Sequence, residues 1–92
     1  MSDNNLFVRE DAVLSEVHQE FLRASTVYKP FNTFHEGYAI IKEELDELWD
    51  EIKSTHYNRR DGNDELNREI RKEAIQVAAM AIRLVVDLCG DE

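Results

Sequence analysis

The stretch "AIQVAAMAIRLVVDL" (residues 74–88) constrains the fold more than any other part of this chain. Wound as a helix it is apolar nearly all round, which implies burial on more than one side. Three polar residues, Gln76, Arg83 and Asp87, interrupt it, and it is too short to cross a bilayer. Two other segments share helical periodicity. In residues 10–24, Val13, Val17, Phe21 and Ala24 repeat at helical spacing. Residues 34–54 carry a seam at Phe34, Tyr38, Ile41, Leu45, Leu48 and Ile52, in alternating steps of four and three.

Punctuation separates the three segments. Pro30 disfavours helix in the residue before it, and Thr33 with Glu36 forms a capping box for the second helix. "NRRDGND" reads as a loop around Gly62, and Gly90 as the stop of a third helix over 64–89. Nothing reads as a strand. The chain is therefore predicted to be one all-α domain over residues 1–92, a three-helix subunit. Gly37, inside the second helix, costs about 1 kcal/mol relative to Ala. It is either tolerated or kept for close approach of a backbone or a ligand.

Composition narrows the function classes. Twenty acidic residues against eleven basic ones give a net charge of −9, which argues against binding a nucleic-acid backbone. A small phosphate-bearing ligand stays open, because divalent cations bridge acidic side chains to phosphates. A single cysteine, Cys89, and an N-terminus without a long apolar run predict a cytoplasmic protein with no membrane partner.

The acids are not spread evenly. In "IIKEELDELWDEI" (40–52), six of thirteen residues are Asp or Glu. At about 100° per residue from Leu45, the apolar seam spans about −60° to +40°, and Glu44, Glu51 and Glu47 fall at about −100°, −120° and −160°. Lys42 and Lys53 lie on the opposite flank with Asp46. A solvated helix usually interleaves the two signs. On the third helix, Glu69, Glu73, Gln76, Met80, Arg83 and Asp87 share one stripe, with Glu73 at the edge of the apolar face. If the two stripes face each other, Glu44, Glu47 and Glu73 converge as oxygen ligands suited to Mg²⁺ or Mn²⁺. The competing reading pairs Glu73 with an Arg or Lys and leaves Glu44 and Glu47 solvated. No Glu-x-x-His pair, zinc-ligand spacing, Gly-rich phosphate loop or nucleophile triad is present. Three helices, one of them apolar nearly all round, leave a face uncovered. That predicts a homo-oligomer with the third helix at or near the interface.

"EELDE" (43–47) followed by "EAIQ" (73–76), within "FNTFHEGYAIIKEELDELWDEIK" and "KEAIQVAAMAIRLVVDL", resembles the Glu-Glu-x-x-Glu … Glu-x-x-Asp signature of MazG-like all-α nucleoside triphosphate pyrophosphohydrolases. The resemblance covers roughly residues 28–89. It implies Mg²⁺-dependent hydrolysis of a (deoxy)nucleoside triphosphate to monophosphate and pyrophosphate. It also implies a four-helix bundle completed by subunit association, as dimer or tetramer. By position, Glu44, Glu47 and Glu73 match metal ligands, and Glu43 the leading Glu. Gln76 stands where that family has Asp; its amide oxygen can ligate a hard cation but adds no charge, and Glu69 would compensate. Glu43 or Glu44 is the candidate general base. Lys72 and Arg83 are candidates for the phosphates, with a structural ion pair as the competing role for each. Asn32, Phe34, Tyr38 and Trp49 are candidates for the base, with His18 behind them. Arg59 and Arg60 read as solvated loop residues. The alternative that Gln76 leaves open is a MazG-like helical oligomerisation or regulatory module with weak catalysis.

Overall fold

The computed structural model describes residues 2–54 and 64–90, with side chains from 8 to 54 and from 65 to 90. Among the described residues the protein is helical and has no strand. The helices are α1 (Ser2–Val27), α2 (Phe34–Lys53) and α3 (Asp64–Leu84), and α3 continues into a π-helical turn over Val85–Cys89. The loop predicted around Gly62, with Arg59 and Arg60, lies outside the described residues, as does His56.

α1 is longer than its apolar periodicity predicts, and residues 8–15 of it carry no packing. Residues 8–15 are all exposed, whereas Val17 and Ala24 are buried with Phe21 packed between them. A helix that runs past its packed region leaves no core-facing pattern to read. The start of α2 follows the capping box. Thr33 Oγ1 accepts from the Glu36 amide at 3.0 Å, and the Glu36 carboxylate reaches back to the Asn32 amide at 2.5 Å, one residue earlier than the usual box. Gly90, with φ +69°, closes the π-turn in a conformation that favours glycine.

α3 lies at the centre, packed against both α1 and α2. The core is small: Val17, Ala24, Ala79 and Met80, with Ile40, Ile41 and Ile75 against them. At Gly37 α2 packs closely on α3. A Cβ there would lie 2.8 Å from Leu84 Cδ1 and 3.2 Å from Phe31 Cδ2. The close approach at this glycine is to two side chains.

Two faces are turned differently from the sequence expectation. Half of α2's apolar seam points outward: Phe34, Tyr38 and Leu45 are at least half exposed, as is Trp49 beside them, while Ile41, Leu48 and Ile52 are half-buried. The side of α2 that packs carries Gly37, Ile40, Ile41, Glu44 and Leu48, rotated by about 90° toward the acidic flank. On α3 the polar stripe with Gln76, Met80, Arg83 and Asp87 faces inward, while Ala81, Ile82, Val85 and Val86 are exposed. Periodicity reports an apolar surface without saying which molecule covers it. Both helices therefore turn their polar stripes toward each other.

Candidate metal centre

That rotation brings the acidic residues together. Glu44 and Glu47 lie one turn apart on α2, and Glu73 projects from α3. One carboxylate oxygen from each lies within 4.8 Å of the others, with Glu44 and Glu73 half-buried and Glu47 exposed. Among the described residues no Arg or Lys lies within ion-pair distance of any of the three. The pairing of Glu73 with a cation, the competing expectation, is not seen. Gln76, one turn beyond Glu73, takes that place. With its amide assigned from the hydrogen-bond network, its nitrogen donates to Glu44 Oε1 at 2.9 Å and to Glu73 Oε1 at 3.2 Å. To act as a ligand through oxygen, Gln76 would have to turn this amide over.

Crowded carboxylates resist ionisation. Burial, followed by the charges of Glu47, Glu73 and Glu43 and a hydrogen bond to Glu47, pushes the Glu44 carboxyl up to about 7. Glu73 is raised too, chiefly by burial and by Glu47, with Lys72 pulling the other way. A divalent cation would relieve this repulsion, and the donor set fits a hard one. Octahedral Mg²⁺ holds oxygens at about 2.0–2.1 Å, so opposite ligands stand about 4.2 Å apart. Neighbouring ligands of the same octahedron stand only about 3 Å apart, so the three carboxylates would have to draw in around one cation or reach it through water.

Beside the carboxylates opens a cleft of about 490 Å³, within the range of small-molecule sites. Glu43, Glu44 and Gln76 form one wall, and Tyr28, Pro30 and Asn32 from the α1–α2 connection form another. Asn32 is exposed in this cleft. Tyr38 and Trp49 do not line it; they stand on the outer face of α2, and Lys53 Nζ sits 5.9 Å from the Trp49 ring centroid. Phe34 is also exposed and outside the cleft. Lys72 is exposed in a second groove, between α1 and α3, that also holds Arg68 and Arg71. His18 is exposed and stacks on Phe21, and Glu69 is exposed outside the carboxylate cluster.

Arg83 borders the cleft but is only 2% exposed. Its Nη2 donates to the Lys29 carbonyl at 2.8 Å and lies 3.8 Å from Asp87, and its guanidinium stacks 4.5 Å over Phe31. Of the two roles open to it from the sequence, the structural one is the one it fills here. Glu20 and Arg23, which also line the cleft, carry only an ordinary i, i+3 ion-pair signal in the sequence. Nothing in that spacing points to a site.

No helix among the described residues is long and apolar enough to cross a membrane. Comparison with known proteins finds no matching family model, no matching curated protein and no matching solved structure.

Proposed function

We propose that this protein is a MazG-like, Mg²⁺-dependent pyrophosphohydrolase that converts a (deoxy)nucleoside triphosphate to monophosphate and pyrophosphate. One observation carries the reading. Glu44, Glu47 and Glu73, the residues matching the signature's ligands, come within 4.8 Å of one another beside a cleft of nucleotide-compatible size.

The residues divide the work as follows. Glu44, Glu47 and Glu73 would hold Mg²⁺ or, in its place, Mn²⁺, and Gln76 would join them only with its amide reversed. The bound cation supplies charge neutralisation and orientation at the phosphate oxygens. Glu43, exposed on the same wall and outside the ligand trio, takes the proton of the attacking water, with Glu44 as the alternative base. Asn32 offers its amide to the base or sugar from across the cleft. Lys72 biases the potential at Glu73 and does not reach into the cleft.

Assembly belongs to the same reading. Phe34, Tyr38, Leu45 and Trp49 on α2, and Ile82, Val85 and Val86 on α3, are exposed on a chain with a small core. A second copy of this chain covers these faces in a dimer or tetramer and completes a four-helix bundle. A cytoplasmic location goes with such a substrate.

The second reading, a helical oligomerisation or regulatory module with weak catalysis, draws on Gln76 facing the carboxylates as a donor. Pyrophosphate release from a panel of nucleoside triphosphates, with Mg²⁺ and with EDTA, separates the two. Mg²⁺-dependent release supports the hydrolase, and Mg²⁺ binding without release from any nucleotide supports the module.

A further inference from the structure

The α1–α2 connection, residues 28–33, walls the cleft without any regular structure of its own. Its outer ends are tied locally, by the Tyr28 amide to the Ala24 carbonyl at 2.8 Å and by the cap at Thr33. Its middle is tied to a distant place in sequence, the end of α3. Arg83 donates to the Lys29 carbonyl at 2.8 Å, and Asp87 Oδ2 accepts from the Phe31 amide at 3.0 Å. Phe31, itself buried, is held between Gly37 and the Arg83 guanidinium.

The π-turn over Val85–Cys89 sets this geometry. A π-turn widens the helix and rotates the residues within it relative to an α-helical continuation. Asp87 lies inside that turn, so its carboxylate meets the Phe31 amide where the turn places it. Burying a charged guanidinium is costly unless it is well partnered. Among the described residues Arg83 Nε is buried and meets no acceptor. The residue's hydrogen bonds, ion pair and ring contact among the described residues all go to this loop or to its own helix, and they tie it to that loop.

We infer that Arg83 and Asp87 are positioning residues: through Lys29 and Phe31 they fix residues 28–33 as a wall of the cleft, and so set its grip on the nucleotide without touching it. This rests on the nucleotide reading above, so the test has one readout that depends on turnover and one that does not. Asp87→Ala removes the acceptor of the Phe31 amide, Asp87→Asn keeps a carbonyl oxygen there, and Arg83→Lys keeps charge but loses the planar fork. Amide exchange followed by NMR reports the loop, steady-state kinetics with Mg²⁺ the cleft, and calorimetric Mg²⁺ titration the carboxylates.

In Asp87→Ala, exchange of the Phe31 amide should accelerate and KM should rise by about tenfold or more, the loss of one hydrogen bond to a charged group. The kcat, the Mg²⁺ affinity and the protection of α2 and α3 amides should hold. Asp87→Asn should recover most of the KM, and Arg83→Lys should behave like Asp87→Ala. Protection lost across α2 and α3, a kcat that falls as KM rises, or an Asp87→Asn as impaired as Asp87→Ala would each overturn the inference. So would a faster Phe31 amide with unchanged KM. A wild type that turns over no nucleotide sinks the hydrolase reading instead. The loop claim then stands on exchange alone, where unchanged protection of the Phe31 amide in Asp87→Ala refutes it.

Discussion

Replacing Glu44 with Gln should stabilise the metal-free protein above neutral pH and do nothing for it in acid. In the folded chain the Glu44 carboxyl titrates at about 7, against an ordinary value of 4.5. Raised in this way, it holds its proton more tightly folded than unfolded. Wild type therefore gains stability as pH falls from about 7 to 4.5, and pays the full cost of ionisation above 7. At about 1.4 kcal/mol per pH unit that cost is roughly 3 kcal/mol, and screening at a partly exposed site reduces it to about 1–2. Burial is the largest cause of that cost; beside it, two charges at the 4.8 Å limit of the cluster repel by about 0.9 kcal/mol in water and about 3.5 at an effective dielectric of 20. The groups acting on Glu44 are Glu43 and Glu47 on α2, Glu73 on α3 and Arg23 on α1, the last working against the penalty. The side-chain amide introduced by Glu44→Gln would still offer an oxygen to the Gln76 nitrogen. In EDTA at pH 8, Glu44→Gln should melt higher than wild type, at about 4–8 °C per kcal/mol for a chain of this size. At pH 4.5 the two should nearly coincide. A variant that melts lower than wild type at pH 8, or whose advantage does not depend on pH, would refute the electrostatic reasoning.

Gln76→Asp should add a charge to the cluster, tightening Mg²⁺ binding while lowering the melting temperature in EDTA; calorimetric titration and melts report both, and unchanged Mg²⁺ affinity would mean that Gln76 stays turned away from the cation. Gly37→Ala gains about 1 kcal/mol of helix propensity but forces a Cβ to 2.8 Å from Leu84, an overpacking cost of about 1–3 kcal/mol. Urea unfolding should place it about 1 kcal/mol below wild type. Light scattering at micromolar concentration should return a dimer or a tetramer, and a stable monomer would count against a second copy covering the outer faces of α2 and α3. Asp46→Asn, which breaks only an exposed pair with Lys42 at 3.1 Å, should leave every Mg²⁺ effect intact.

The sequence carried the helices and the convergence of carboxylates for one reason. Segregated charge on α2 and a polar stripe on α3 are both readable at 100° per residue, and they meet because each borders a packed face. The direction of packing was not readable. Of the apolar seam that periodicity assigns to a core, Ile41, Leu48 and Ile52 are half-buried, yet Phe34, Tyr38 and Leu45 face outward in the single chain, with Trp49 beside them, and Gly37, Ile40 and Glu44 pack instead. A seam destined for another subunit looks the same as one destined for the chain's own core. Arg83 was ambiguous for a similar reason. An arginine in a polar stripe reads equally as a phosphate ligand or as a structural anchor, and only the nearness of Lys29 and Phe31, more than fifty residues away, separates them. The π-turn that aligns Asp87 has no signature in "VVDLC".

Calorimetric titration of the metal-free protein with Mg²⁺ decides whether Glu44, Glu47 and Glu73 hold a divalent cation. Wild type should bind with a saturable isotherm. Melts at 100 times the resulting dissociation constant should then rise by the equivalent of about 2.7 kcal/mol for one site. Glu73→Gln should weaken or abolish the isotherm while melting no lower than wild type in EDTA. If wild type shows no binding and gains nothing from Mg²⁺, and Glu73→Gln is the least stable variant in EDTA, the three carboxylates are not a metal site.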